Sequence, residues 1–247
     1  MAIHRVYKKE FEERVAFIKN LLAETGCTGI VFGNSGGKDC TLVGILCKVA
    51  CENTLGVMMP CESSCNFLQD KDDAIAFSEQ YNIDLKCVDL TELKKGMVKN
   101  VSGIEEITDT AISNIAPRLR MTTLYLIAQS RNALVAGTGN KCERFMGYFT
   151  KWGDGAYDFN PIADLTVSEI YDFLRYLEAP ESIIAKAPSA GLFEGQTDES
   201  EMGVTYEQIE NYLAGEKVEG VAKDKIKKAH RITEHKRKQP VLFQNKA

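Results

Sequence analysis

The tightest constraint on the fold is a short apolar run that ends in a glycine-rich loop and resumes as a helix. Gly29-Ile30-Val31-Phe32 has the length of a buried strand. It runs into Gly33-Asn34-Ser35-Gly36-Gly37-Lys38-Asp39-Cys40, after which Leu42, Val43, Ile45, Leu46 and Val49 recur at helical spacing to about Cys51. A second strand is expected over Thr54–Met59, a helix over Asp70–Tyr81 with Ala74, Ile75, Phe77 and Ser78 inward, and a third strand over Ile83–Val88. Strands alternating with helices in this way specify a parallel sheet. Before the loop, Phe11, Val15, Ile18 and Leu22 mark an amphipathic helix over 9–25, ended by Gly26.

Beyond these units, residues 109–131 read as helical, with Pro117 as either a kink or a break between two helices. Ala133-Leu134-Val135-Ala136 reads as a fourth strand, ending at Gly137-Thr138-Gly139-Asn140. Residues 141–161 hold many glycines and aromatics with little periodicity and read as a functional or mobile loop. Helices are expected at about 166–178, 205–214 and 218–231, with an acid-rich connector at 194–201. No repeat or linker divides the chain, so a single domain over 1–247 is expected.

Composition bounds the function. With 247 residues, 44% of them hydrophobic, and a net charge of -5, the chain is globular rather than disordered, collagen-like or coiled-coil. No apolar run approaches the ~20 residues that cross a bilayer, and the charged start lacks a signal-peptide core, so a cytoplasmic protein without membrane contact is expected. Eight cysteines then read as reduced thiols, and Cys61 and Cys65 lack the spacing of a zinc pair. Residues 221–247 carry nine Lys or Arg against two acids, leaving -12 on residues 1–220. An acidic body with a basic tail argues against a general nucleic-acid binder.

A glycine loop that opens a helix offers backbone N–H groups and the positive end of the helix dipole, a setting for phosphate. It is no Walker loop, because Gly37-Lys38 is followed by Asp39 and the position of the first glycine is Phe32. The dinucleotide pattern also fails, because Gly33, Gly36 and Gly37 are spaced 3 and 1. Asp39 would face a polyphosphate, and like charges ~4 Å apart cost about 4 kcal/mol near a protein surface. A bridging cation turns that repulsion into binding, so Mg2+ with Asp39 as a ligand is expected.

Ser35-Gly36-Gly37-Lys38-Asp39-Cys40 resembles the Ser-Gly-Gly-x-Asp-Ser loop of the ATP pyrophosphatase (PP-loop) superfamily, with Cys40 where that family carries serine. Further segments look like consecutive signatures of ammonia-dependent NAD synthetases. They are Asn114–Met121, Gly137–Asn140 with Glu143, Gly147–Gly155 with Asp158, Lys186–Ala190, Gln196–Glu199 and Thr233–Arg237. The resemblance covers nearly the whole chain. It implies an α/β fold, a Rossmann-like parallel sheet with helices on both faces, of the adenine nucleotide alpha hydrolase-like kind. The implied reaction is ATP-dependent amidation of deamido-NAD by ammonia through an acyl-adenylate.

The resemblance also implies site residues. Gly33, Asn34, Ser35, Gly36, Gly37, Lys38, Cys40, Thr138, Lys186 and Ser189 would contact ATP, and Asp39 and Glu143 would hold Mg2+. Arg118, Lys151, Asp158, His235 and Lys236 would bind deamido-NAD, with Asp39 and Lys151 as the catalytic pair. Arg118, set after Pro117 in a largely apolar helix, is expected to meet a buried anion. Lys151 beside Trp152 also fits a solvated lysine shielding an aromatic. Relatives carry a lysine where this chain has Val167, so either another cation, Lys186 or Lys141, supplies that charge or nucleotide affinity is lower. Glutamine-using relatives add an amidase domain for which this chain has no room, so free ammonia is the expected donor, with or without a separate amidase subunit. A homodimer is expected, with Met121, Leu124, Tyr125 and Ile127 as interface or core. The rival reading is a tRNA-modifying PP-loop enzyme, which would want paired cysteines or an RNA-binding domain.

Overall fold

A computed structural model describes residues 5–62, 67–185 and 198–243. Helix α1 (Tyr7–Thr25) precedes β1 (Gly29–Gly33), α2 (Lys38–Ala50), β2 (Thr54–Met58), α3 (Phe67–Gln80) and β3 (Asp84–Cys87). Then come α4 (Thr91–Val101), α5 (Asp109–Ser113), α6 (Ile115–Ser130), β4 (Ala133–Ala136) and α7 (Lys141–Met146). The remainder is α8 (Val167–Tyr176), α9 (Glu181–Ile184), α10 (Asp198–Met202), α11 (Tyr206–Leu213), α12 (Gly220–Ile232) and α13 (Glu234–Arg237).

The four strands form one parallel sheet in the order β3-β2-β1-β4, with Val31 of β1 between Leu55 and Val135. Successive side chains of a strand point to opposite faces, and both faces are apolar here. Ile30, Phe32, Leu134 and Ala136 pack against Ile18 of α1, Leu42 and Leu46 of α2, Phe77 of α3 and Phe173 of α8. Val31, Val135, Leu55 and Val57 pack on the other face against Leu90 and against Ala116 and Ala128 of α6. The chain leaves β1 toward β2 and β3 and returns to pair β4 on the opposite side of β1. In open α/β sheets such a reversal opens a crevice beyond the carboxyl ends of the strands. A third core joins Cys142 and Met146 of α7 to Val167, Tyr206, Ile209 and Ile226, and anchors the C-terminal helices beside that crevice.

The expected parallel sheet and its four strands are present, with changes in detail. The stretch over 141–161 is not all loop: Lys141–Met146 is helical, started by a capping box in which Asn140 accepts from the Glu143 amide while Glu143 accepts from that of Asn140. The helical run over 109–131 breaks at Asn114, and Pro117 sits in the first turn of α6, where its missing N–H costs nothing. Helix α4 covers a span for which no element is expected from the sequence. The acid-rich connector contains α10. Met121, Leu124, Tyr125 and Ile127 are all partly buried, the last three against the second core, whereas Leu126 between them is exposed.

Gly44 of α2 lies where a Cβ would stand 2.5 Å from Phe77 Cζ and 2.7 Å from Phe32 Cζ, and both rings are fully buried. Overpacking of this kind costs typically about 1–3 kcal/mol. Gly44→Ala is therefore expected to lower stability by that amount in urea unfolding followed by circular dichroism, and an unchanged midpoint would show that the rings yield.

Candidate active site

The glycine loop is held from beneath by Asn34. Its backbone N–H donates to Val57 O at 2.9 Å, its Nδ2 donates to Ser78 Oγ at 3.1 Å, and its Oδ1 accepts from the Gly36 amide at 3.1 Å. The loop is thereby tied to both β2 and α3. Gly36 adopts φ 71°, and a Cβ there would lie 2.2 Å from Asp70 O. Glycine is required twice over, by the left-handed backbone and by the close approach of α3. Gly37 caps α2, and Thr41 Oγ1 donates to Gly37 O at 2.9 Å. The amide ends of α2 are thus left facing the crevice.

A cavity of about 730 Å³ occupies that crevice. Gly33, Asn34, Ser35, Gly37, Lys38, Asp39, Cys40, Thr138, Glu143 and Lys236 all line it, so the structure gathers ten of the expected residues. Gly36 supports the loop from behind. Lys186 and Ser189 lie outside the described residues, as does Cys65. Cys40 is buried, its thiol donating to Gly37 O at 3.1 Å and standing 3.5 Å from Ser35 Oγ, and burial holds it protonated. The position thus acts as a hydrogen-bonded filler of the loop.

Two carboxylates line this cavity together. Asp39 lies in the first turn of α2, and Glu143 is held by its capping box on α7. Burial pushes the Glu143 carboxyl upward and the charge on Asp39 pushes it further, while Lys38 opposes both. Lys38 Nζ donates to Asp39 Oδ2 at 2.8 Å, and Asp39 Oδ1 is buried with no partner among the described residues. These residues fit a hard divalent cation: two acids close enough to repel, one of them with an unpartnered oxygen, beside a loop built for phosphate. Among the described residues no set of three or more His, Cys, Asp or Glu forms a metal cage. Mg2+ needs none, because it takes one or two carboxylates and completes its shell with phosphates and water.

Lys236 of α13 closes one wall by donating to Gly147 O at 2.8 Å and Phe149 O at 2.7 Å. Next to the cavity, but outside its lining, Arg118, Lys151 and His235 form a second group. Lys151 Nζ donates to His235 O at 2.7 Å and sits 5.4 Å from the centre of the Trp152 ring. Trp152 takes φ 61°, a strained value for a bulky residue, and half of it is exposed. Asp158 lies apart, its oxygens accepting from the Val135 amide at 2.7 Å and from Tyr125 OH at 3.1 Å.

The buried setting expected for Arg118 is not what forms. Arg118 is exposed, and Arg120, about 200° further round α6, is the arginine that lines the cavity, with Nε donating to Met59 O at 3.1 Å. Val167 is buried in the third core. Lys141 is absent from the cavity lining, and among the described residues the lysines found there are Lys38, Lys71 and Lys236. Asp198 belongs to the Gln196–Glu199 signature but has no role assigned from the sequence, and Tyr206 is missed there altogether. Asp198 is buried, with Oδ2 accepting from Tyr206 OH at 2.8 Å. Asn140 and Glu143 carry the capping-box spacing, a signal that would have placed α7.

A parallel α/β sheet with a phosphate-type loop at its switch point defines a nucleotide-handling enzyme. Comparison with known proteins narrows this. The description of the NAD synthase family matches residues 10–240. The NH(3)-dependent NAD(+) synthetase of Carboxydothermus hydrogenoformans is 43% identical over 95% of this chain and 96% of its own. The chain belongs to the NAD synthase family and is an enzyme of the ligase class. Among solved structures, the NMN synthetase of Francisella tularensis superposes with TM-score 0.92 at 34% identity, covering 98% of this chain and all of that one. The NH3-dependent NAD synthetase of Campylobacter jejuni, in complex with nitrate, gives TM-score 0.82 at 28% identity, covering 97% and 100%. Nothing in these matches favours the RNA-modifying alternative.

Gly36→Ala should leave the sheet intact and weaken nucleotide binding by tenfold or more, because the loop must move away from Asp70 O. Calorimetric titration with ATP and Mg2+ checks this, and wild-type affinity would show that the left-handed loop is dispensable.

Proposed function

We propose that this chain amidates deamido-NAD with free ammonia, using ATP and Mg2+ and releasing AMP and pyrophosphate. The observation that carries the reading is the pairing, in one cavity, of a glycine loop with two acids, one of which keeps an oxygen unpartnered among the described residues. Asp39 and Glu143 would hold Mg2+, which when bound neutralises phosphate charge. The loop amides and Ser35 hold the β and γ phosphates, and Thr138 the nucleotide. A carboxylate oxygen of the nicotinic acid attacks the α phosphorus, the bond to the β-phosphate oxygen breaks, and pyrophosphate leaves toward the loop. Ammonia then attacks the acyl carbon, AMP departs with its electron pair, and one proton is lost from nitrogen.

The protein's share is to orient two anions and shield the acyl-adenylate from water, work that positioning and fixed dipoles do. Lys236 and Arg120 supply positive charge inside the cavity. Arg118, Lys151 and His235 offer a second cationic surface for the far half of the dinucleotide, completed in a homodimer by the facing subunit. Asp158 is assigned to the same substrate, as a brace where β4 ends.

A second reading changes only the substrate, with the mononucleotide that lacks the adenylate half in place of deamido-NAD. The high structural similarity to a protein named for NMN synthesis favours it. Measuring kcat/KM for both substrates decides between them. The first reading expects deamido-NAD to be preferred by at least tenfold, and the reverse preference would establish the second.

Asp39→Asn is expected to fold normally and to lose more than about 100-fold of pyrophosphate release, the scale set by removing a charge aimed at the reacting group. EDTA should abolish activity and added Mg2+ restore it. A near-normal rate for the variant, or activity that survives chelation, would remove Asp39 from the metal role.

A further inference from the structure

Lys38 occupies an unusual place. It is the first residue of α2, where a cation meets the positive end of the helix dipole. Residues one apart on a helix do not normally face each other, yet the Lys38 stem folds back so that Nζ reaches Asp39 Oδ2 at 2.8 Å. The side chain is 7% exposed, and its ammonium lies 5.9 Å from the centre of the Tyr206 ring. Glu143 lines the same cavity as this pair. A buried ammonium therefore sits on one of the two acids assigned to the divalent cation, on the oxygen beside Asp39 Oδ1, which has no partner among the described residues.

We propose that Lys38 is the resident counter-ion of the acid pair: it takes the place of a cation on Asp39 while the cavity holds no nucleotide, and yields to the divalent ion that arrives with ATP. This rests on the assignment of Asp39 and Glu143 to the metal. The physical basis is that a buried carboxylate without a partner is costly, so a protein that binds its cation only together with nucleotide gains from an internal substitute. Once displaced, the ammonium is left beside the loop that holds the phosphates. Lys38 thereby couples metal and nucleotide binding, and by linkage each must favour the other by the same factor.

The test uses Mn2+ as probe, read by electron paramagnetic resonance of the free ion, on the full chain. Wild type, Lys38→Met, Lys38→Arg and Asp39→Asn are compared with and without α,β-methylene ATP, after circular dichroism and thermal melts of each. Lys38→Met should bind Mn2+ roughly tenfold more tightly than wild type without nucleotide, and should gain less affinity than wild type when the analogue is added. Lys38→Arg, which keeps the counter-charge, should follow wild type even if Lys38→Met proves poorly folded. Equal nucleotide-free affinities for folded Lys38→Met and wild type, or an Arg variant with Met-like affinity, would overturn the inference while the metal assignment stands. Wild type that binds no more Mn2+ than Asp39→Asn, even with the analogue, would overturn both. A merely structural lysine would change the melt and leave the nucleotide dependence of Mn2+ binding where it was.

Discussion

Mutual repulsion between two carboxylates in a confined, poorly hydrated space is the constraint around which the rest of the molecule is arranged. Asp39 and Glu143 come from helices about a hundred residues apart, and only the sheet brings them together. The reversal between β1 and β4 sets the phosphate loop on one side of the crevice and α7 on the other. Glu143 is further fixed by its own helix start, since its Oε2 accepts from the Asn140 amide at 2.9 Å. A carboxylate so tethered cannot swing away from its neighbour, and the stress is relieved by positive charge brought to it.

The glycine loop shows how closely backbone and site are joined. Its conformation is imposed by a left-handed glycine wedged against the carbonyl of Asp70 and by Asn34 bridging β2 and α3. Asn34 secures the loop by donating to Ser78 of α3 and accepting from the Gly36 amide. A change in the packing of α3 would therefore reach the loop with none of the loop's own residues altered.

Much of this was legible in the residues. The buried strands read directly because a strand covered on both faces is a continuous apolar run, as in Ile30-Val31-Phe32 and Leu134-Val135-Ala136. The loop and Asp39 were legible because their chemistry resides in residue types at fixed spacing. Helix α7 was not, because six residues are too few for a period, and its only signal was the pair of caps. Arg118 and Arg120 could not be told apart, because which of two alternate helical positions faces a cavity depends on where the helix lies on the sheet. Helix α4 carries Leu93, Met97 and Val101 at helical spacing, a signal that was there to be read, although these side chains are exposed and none of the helix is fully buried. Asp158, legible as a motif position, turns out to be engaged by the Val135 amide.

The grip of Lys236 on the carbonyls of Gly147 and Phe149 has a bearing on how the protein is made. Residue 236 leaves the ribosome long after the sheet has been synthesised, and a chain emerging in order could assemble its strands and its glycine loop with one wall of the pocket still unlatched. Competence to retain nucleotide would then be conferred late in synthesis, by a lysine that returns almost ninety positions to fasten the aromatic stretch on which the pocket closes.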